Sequence, residues 1–180
     1  MNRAVFFDRD GTLVAEKNYL CRIEDVEIFP GTGPALKKLA DAGYKLIMVT
    51  NQSGIGRGYF TLAEAERVNE HVCQELARDG VHFEKIYLAP EAPDQPSRGR
   101  KPSPQFLFDA RDEFQIDLAQ SFMIGDKLID LECGWNAGVK KSILVRTGYG
   151  AKLAETEPEK LAAAMIFDDL TETTTWILSQ

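Results

Sequence analysis

Short apolar runs, each about one strand long, alternate with helix-patterned stretches along the whole chain, and this alternation limits the fold more than any other feature. The runs lie at 4–8 (AVFFD), 44–50 (YKLIMVT), 83–89 (FEKIYLA), 121–125 (SFMIG), 142–146 (SILVR) and 165–167 (MIF). Their near-continuous apolarity is the pattern of strands buried on both faces, which occurs in parallel sheets covered by helices. Helical patterns fill 34–42, 61–78, 103–114, 128–137, 157–164 and 170–178. Punctuation supports several of these boundaries. Thr61-Leu62-Ala63-Glu64 is a capping box, Gly43 and Gly80 suit helix stops, and Ser103 between Pro102 and Pro104 suits an N-cap. The expectation is α/β: a parallel sheet with helices on both faces, forming one domain over residues 1–180.

Composition narrows the function classes. With 180 residues, 44% hydrophobic and 27% charged, the chain resembles an ordinary soluble globular domain. No apolar stretch reaches the roughly 18 residues that suggest a membrane span. No secretory signal is visible after Arg3, so the expected location is cytoplasmic. The net charge of −7 comes without a basic stripe, which argues against nucleic acid as a partner. Cys21, Cys73 and Cys133 are odd in number and form no C-x-x-C pair, so free thiols are expected rather than disulfides or a thiolate zinc site. A monomer is the default. Two irregular stretches, 11–33 and 90–104, interrupt the alternation, and the second holds five of the eight prolines. Long loops of this kind are often functional.

The ends of the apolar runs carry the chemistry. The first run ends in Asp8-Arg9-Asp10. If strand geometry persists, Asp8 and Asp10 present two carboxylates to one side while Arg9 turns away. One carboxylate can attack phosphorus and the other can shuttle protons, with a hard divalent cation easing their repulsion. A D-x-D pair also suits a metal loop or a helix cap. Thr50-Asn51-Gln52-Ser53-Gly54 follows the second run as a phosphate cradle or a plain turn. Arg100-Lys101 follows the third, aimed at phosphoryl oxygens or solvated. Asp126 follows the fourth as a metal ligand or a helix N-terminal acid, with Asp130 one turn on and able to steady Lys101 or the metal shell. Each signal is modest alone, but four run ends carrying Asp/Asp, Thr, Lys and Asp in order are hard to obtain by accident.

This ordered set resembles the haloacid dehalogenase (HAD) superfamily of phosphohydrolases over residues 4–147, through D-R-D-G-T, T-N-Q-S-G, R-K-P and G-D-K-x-x-D. CRIEDVEIFPG at 21–31, NQSGIGRGYFT at 51–61, GDKLIDLECGWNAG at 125–138 and LVRTGYG at 144–150 are similar to its heptose-bisphosphate and histidinol-phosphate phosphatase branch. The resemblance implies a three-layer Rossmann-like core. Neither 11–33 nor the span between Thr50 and Lys101 is long enough for a separate cap domain. It also implies that Asp8 is the nucleophile and a magnesium ligand. Asp10 is the acid/base and binds Mg2+ through its backbone carbonyl, and Asp126 completes the protein's share of the metal shell. Thr50 and Lys101 hold the phosphoryl group. Glu16, Lys17, Asn18, Tyr19, Asn51, Gln52, Ser53, Arg100 and Lys127 line the substrate site.

The branch usually holds zinc before R-K-P through C-x-H and C-x-C pairs. Here those positions read Ala89-Pro90-Glu91 and Ser97-Arg98-Gly99, so zinc is not expected, and the prolines at 90, 93 and 96 are expected to stiffen the loop instead. The expected function is a magnesium-dependent phosphomonoesterase acting through an aspartyl-phosphate on a small phosphorylated substrate. The leading candidate is the 7-phosphate of a heptose 1,7-bisphosphate, and the alternatives are histidinol phosphate or another sugar phosphate. A phospho-aspartate signalling module also uses acids, Thr and Lys, but has no need of Asp10 as a proton shuttle.

Overall fold

The computed structural model describes residues 1–180. Six strands form one sheet: β1 (Arg3–Phe7), β2 (Tyr44–Asn51), β3 (Lys85–Ala89), β4 (Phe122–Gly125), β5 (Lys141–Val145) and β6 (Met165–Phe167). Their order is β3-β2-β1-β4-β5-β6, and every pairing is parallel. Parallel neighbours need crossovers. These are α1 (Thr32–Asp41), α2 (Ser53–Gly56) with α3 (Leu62–Ala77), α4 (Gln105–Phe114), α5 (Leu128–Ala137) and α6 (Gly150–Thr156), and α7 (Leu170–Leu178) closes the chain. The expected α/β architecture is therefore what the chain forms. No helix is long and apolar enough to cross a membrane.

Strand alternation divides the core into two. Val5, Phe7, Leu46 and Met48 face one side and pack with Leu36 and Leu39 of α1, Val68 and Val72 of α3, and Ile177 of α7. Ala4, Phe6, Ile47 and Val49 face the other and pack with Leu107 and Ala110 of α4 and Cys133 and Ala137 of α5. Each fully buried Leu or Phe contributes about 1.5–3 kcal/mol, so the central strands are the best-anchored part of the molecule. The capping box is present at α3: Thr61 Oγ1 accepts from the Glu64 amide at 3.2 Å, and the Thr61 amide donates to Glu64 Oε2 at 2.7 Å.

Several boundaries differ from the sequence expectation. The helix expected at 157–164 is replaced by α6, which ends at Thr156, and a 3-10 turn at Pro158–Leu161. Pro158 is the reason: its ring disfavours helical geometry in the preceding residue, and Glu157 sits at φ −138°. α4 starts at Gln105 rather than Ser103. Pro104 occupies the N-cap position, and Ser103 Oγ accepts from the Gln105 amide at 3.3 Å from one residue further out. β1 ends at Phe7, so Asp8 and Asp10 lie beyond regular strand geometry.

The stretch 11–33 is a packed loop, not a cap domain. It contains a 3-10 turn at Ile23–Asp25, isolated bridges Asp10–Val14 and Val14–Ile28, and buried Leu13, Val14 and Leu20.

Candidate active site

The chain builds β1, β2 and β3 outward in one direction, then returns to place β4, β5 and β6 on the other side of β1. Between β1 and β4 the winding reverses, and the carboxyl ends of such strands open a crevice that binds ligands. β1 runs directly into Asp8, and β4 runs directly into Asp126. Asp130, in the first turn of α5, reaches the same crevice. One carboxylate oxygen from each of Asp8, Asp126 and Asp130 lies within 4.8 Å of the others, and all three residues are buried.

Lys101 answers this negative charge. Its Nζ lies 2.7 Å from Asp8 Oδ1 and 2.7 Å from Asp130 Oδ1, and donates to the Val49 carbonyl at 2.7 Å. Asn51 brackets its backbone, donating to the Lys101 carbonyl at 3.1 Å and accepting from the Lys101 amide at 3.0 Å. Burial works against the ammonium, but Asp130 and Asp8 outweigh it and raise the Lys101 pKa. The acids respond in the opposite sense. Burial, then the Asp8 charge, then Asp130 push Asp126 up to about 8. Burial pushes Asp130 up to about 6, with Lys101 opposing.

The environment of Asp126 suits a cation. Its Oδ2 accepts from the Tyr149 amide at 2.9 Å, while its Oδ1 is buried without a hydrogen-bond partner. Two glycines with positive φ close around the carboxylate. A Cβ on Gly11 (φ +83°) would fall 2.1 Å from Oδ2, and one on Gly148 (φ +54°) would fall 2.2 Å away. An all-oxygen cluster with an orphaned carboxylate oxygen fits a hard divalent ion such as Mg2+ better than a softer metal.

Asp10 is placed differently from the sequence expectation. Arg9 does not turn away; it is fully buried and folds back under its neighbour. Arg9 Nη2 lies 2.9 Å from Asp10 Oδ2, and Nη1 donates to Asn69 Oδ1 of α3 at 2.7 Å. Gln52 Nε2 also donates to Asp10 Oδ2 at 2.8 Å. The Asp10 side chain is thus held directly by Arg9 and Gln52, with Asn69 steadying Arg9, and stands outside the three-carboxylate cluster. β1 stops before Asp8, so strand alternation does not carry on to Arg9, although Asp8 and Asp10 still open onto one cavity.

Around these groups lies a cavity of about 410 Å³, lined by Asp8, Asp10, Glu16, Asn18, Tyr19, Asn51, Gln52, Ser53, Lys101, Lys127, Ile129, Asp130 and Tyr149. Ten of the expected site residues line it. Four do not. Thr50 is buried behind Gln52, whose Nε2 donates to Thr50 Oγ1 at 2.8 Å. Asp126 lies in the carboxylate cluster but faces the adjoining groove beside Lys127 and Tyr149. Lys17 turns outward to Glu27 at 2.8 Å. Arg100 sits off the lining, its Nη1 donating to the Glu91 carbonyl at 3.0 Å.

Lys127 pairs with Glu16 Oε2 at 3.1 Å and lies over the Tyr149 ring at 4.8 Å. Burial opposes its charge, but Asp8, Asp126 and Glu16 raise its pKa. Sequence reasoning missed Tyr149, Thr147, Ile129 and Asn69 as parts of the site. Tyr149 and Thr147, whose Oγ1 donates to the Gly11 carbonyl at 2.6 Å, follow β5, so the run-end rule applied once more would have found them. Asn69 shows as a lone amide on the apolar face of α3 beside Val68 and Val72.

Comparison with known proteins places this geometry in context. Residues 3–131 match the polynucleotide kinase 3 phosphatase family, and residues 99–173 match the HAD-hydrolase-like family. A D-glycero-beta-D-manno-heptose-1,7-bisphosphate 7-phosphatase from Haemophilus ducreyi is 44% identical, with 89% of this chain and 90% of that protein covered. The enzyme of that name from Escherichia coli K12 is 41% identical, with 81% of this chain and 80% of that protein covered. Among solved structures, a D,D-heptose 1,7-bisphosphate phosphatase from B. bronchiseptica, complexed with magnesium and phosphate, superposes with a TM-score of 0.89 at 29% identity, covering 98% of both chains.

Proposed function

The chain belongs to the HAD-like phosphatases, and from that premise we propose that it is a magnesium-dependent enzyme removing the 7-phosphate from D-glycero-β-D-manno-heptose 1,7-bisphosphate. The observation that carries this reading is the buried convergence of Asp8, Asp126 and Asp130 with Lys101 held between two of them. The relatives' shared name supports the substrate, as does a wall of amides, hydroxyls and charges suited to a polyol.

Asp8 is assigned as the nucleophile. Its carboxylate attacks phosphorus in line, the bond from phosphorus to the ester oxygen breaks, and an aspartyl-phosphate forms. Asp10 gives its proton to the departing alkoxide, then takes one from water. That water attacks phosphorus, releases inorganic phosphate and restores the Asp8 carboxylate. Arg9 and Gln52 keep the Asp10 carboxylate aimed, with Asn69 steadying Arg9. Lys101 offers its charge to the transferring phosphoryl oxygens, and Thr50 supports Gln52 from behind. Asp8, Asp126 and the Asp10 carbonyl would hold Mg2+, which when bound supplies charge neutralisation at the phosphoryl oxygens. Glu16, Asn18, Tyr19, Asn51, Ser53 and Lys127 contact the sugar, and Arg100 meets an anionic group remote from the cleaved phosphate.

Phosphate release with magnesium, measured across heptose bisphosphates, histidinol phosphate and common sugar phosphates, tests the reading. The β-heptose bisphosphate should show the highest kcat/KM, and a clear preference for histidinol phosphate would overturn the substrate. Asp8→Asn should abolish turnover with the fold intact and Asp10→Asn should impair it severely; near wild-type release by Asp8→Asn would remove the nucleophile assignment.

A further inference from the structure

The loop at 90–104 contains neither cysteine nor histidine, yet it is tied together by a closed ring of polar contacts. Ser97 Oγ donates to Glu91 Oε2 at 2.6 Å and accepts from the Arg100 amide at 3.1 Å. Arg100 Nη1 returns to the Glu91 carbonyl at 3.0 Å. Glu91 therefore grips the segment twice, by its side chain at Ser97 and by its backbone at Arg100. The ring is fixed to its surroundings on both flanks. The Gly56 amide at the end of α2 donates to the Pro90 carbonyl at 2.8 Å, and Arg98 pairs with Asp109 of α4 through both of its terminal nitrogens. The next residue, Lys101, is held separately by Asn51.

The ring leaves one group underused. Arg100 spends a single guanidinium nitrogen on Glu91 and forms no ion pair, so its other donors remain available. Burial and the like charge of Arg57 lower the Arg100 pKa, and Tyr19, whose residue lines the cavity, lies close enough to act on its charge. A partly desolvated guanidinium beside a second cation, with free donors and no carboxylate partner, is arranged to receive an anion.

We propose that Ser97 is a positioning residue that, through its bond to Glu91, aims the Arg100 guanidinium at an anionic group carried by the substrate away from the phosphate that is cleaved. This rests on the assignment of Arg100 under the proposed function. Without the Ser97 hydroxyl the ring opens on two sides, because both the Glu91 carboxylate and the Arg100 amide lose their partner. Arg100 then keeps only its bond to the Glu91 carbonyl, on a segment no longer closed by Ser97, while Lys101 keeps its place through Asn51.

The test is steady-state kinetics with two substrates: the heptose 1,7-bisphosphate, which has a remote anion, and p-nitrophenyl phosphate, which has none. Ser97→Ala should raise KM for the bisphosphate about threefold to tenfold, the range expected for one hydrogen bond, with kcat unchanged. KM for p-nitrophenyl phosphate should stay at the wild-type value. Ser97→Thr should restore the bisphosphate KM, and Glu91→Leu should reproduce the Ser97→Ala effect from the other side of the bond. In an Arg100→Ala background, Ser97→Ala should add nothing further. Equal KM increases for both substrates, or an additive effect in the Arg100→Ala background, would overturn the proposal. So would a bisphosphate KM that rises when the wild-type enzyme, in excess magnesium, meets a zinc-selective chelator. Arg100→Ala without effect on the bisphosphate would remove the Arg100 assignment and this proposal with it. A clear Arg100→Ala effect beside a neutral Ser97→Ala would remove the Ser97 role alone.

Discussion

Arg9 is the largest fully buried side chain in the protein, and replacing it tests how the Asp10 carboxylate is held. Arg9→Met keeps the volume and removes the charge. Three partners are then stranded. Asn69 Oδ1 loses a 2.7 Å bond in a buried setting, and an unsatisfied acceptor of that kind costs about 1–3 kcal/mol. The Leu20 carbonyl loses a long contact at 3.3 Å, which is worth little. Asp10 loses its counter-charge. Removing one partner of a buried pair costs about 3–5 kcal/mol, but the Asp10 side chain is 14% exposed and keeps Gln52, so its share falls well below that range. The sum is about 3 kcal/mol. For a chain of this size each kcal/mol shifts the melting temperature by about 2–4 °C, so Arg9→Met should melt about 6–12 °C lower. Thermal and urea unfolding of Arg9→Met, Asp10→Asn and the double variant would measure it. The two sites should couple by at least about 1 kcal/mol, as residues in one network do. A loss under about 1 kcal/mol for Arg9→Met, with no coupling to Asp10, would refute the argument that Arg9 holds Asp10 in place.

Two further predictions concern the carboxylate cluster. Gly148→Ala places a methyl group 2.2 Å from Asp126 Oδ2 and 2.6 Å from the Gly11 Cα. It should weaken magnesium binding by about 10–100-fold, as displaced supporting groups at metal sites do, and titration calorimetry showing wild-type affinity would contradict this. The second follows from the raised Asp126 pKa. With that carboxyl titrating near 8 in the folded, metal-free protein and in its ordinary range, near 4, when unfolded, the native state binds the extra proton between those values. Metal-free stability should therefore fall as pH rises from about 4 to 8. Excess magnesium, which binds the deprotonated form, should flatten that slope and bind more tightly toward pH 8. Parallel melting curves with and without magnesium across this pH range would contradict it.

Much of this geometry could be read from residue patterns because it depends on period and burial. Strands such as YKLIMVT at 44–50 lie between two helix layers, so their apolarity is continuous and unambiguous. Their ends then mark the crevice, which brings Asp8 and Asp126 together, and the loop after β3 carries Lys101 back to it. What escaped notice depends on local chain direction. Strand parity turns Arg9 away from Asp10, but the chain leaves the sheet at Phe7 and the Arg9 side chain curls beneath Asp10. α2 is a single turn of helix within a Gly-rich segment, too short to show a period. The residues at 157–164 carry a helix-like pattern, but Pro158 prevents Glu157 from joining it. Arg100 and Lys101 are neighbours in sequence but are held by different partners, one by Glu91 and the other by Asn51, and a residue pattern does not show that division.

The central position of β1 and β4 has a consequence for how the molecule fails under stress. Asp8 and Asp126 hang directly from the two strands least able to move without the whole sheet coming apart, whereas Glu16, Asn18 and Tyr19, assigned to the sugar, sit on the 11–33 loop, which opens at smaller cost. Mild heating or denaturant should first yield an enzyme that holds its substrate loosely yet converts whatever it captures at an undiminished pace.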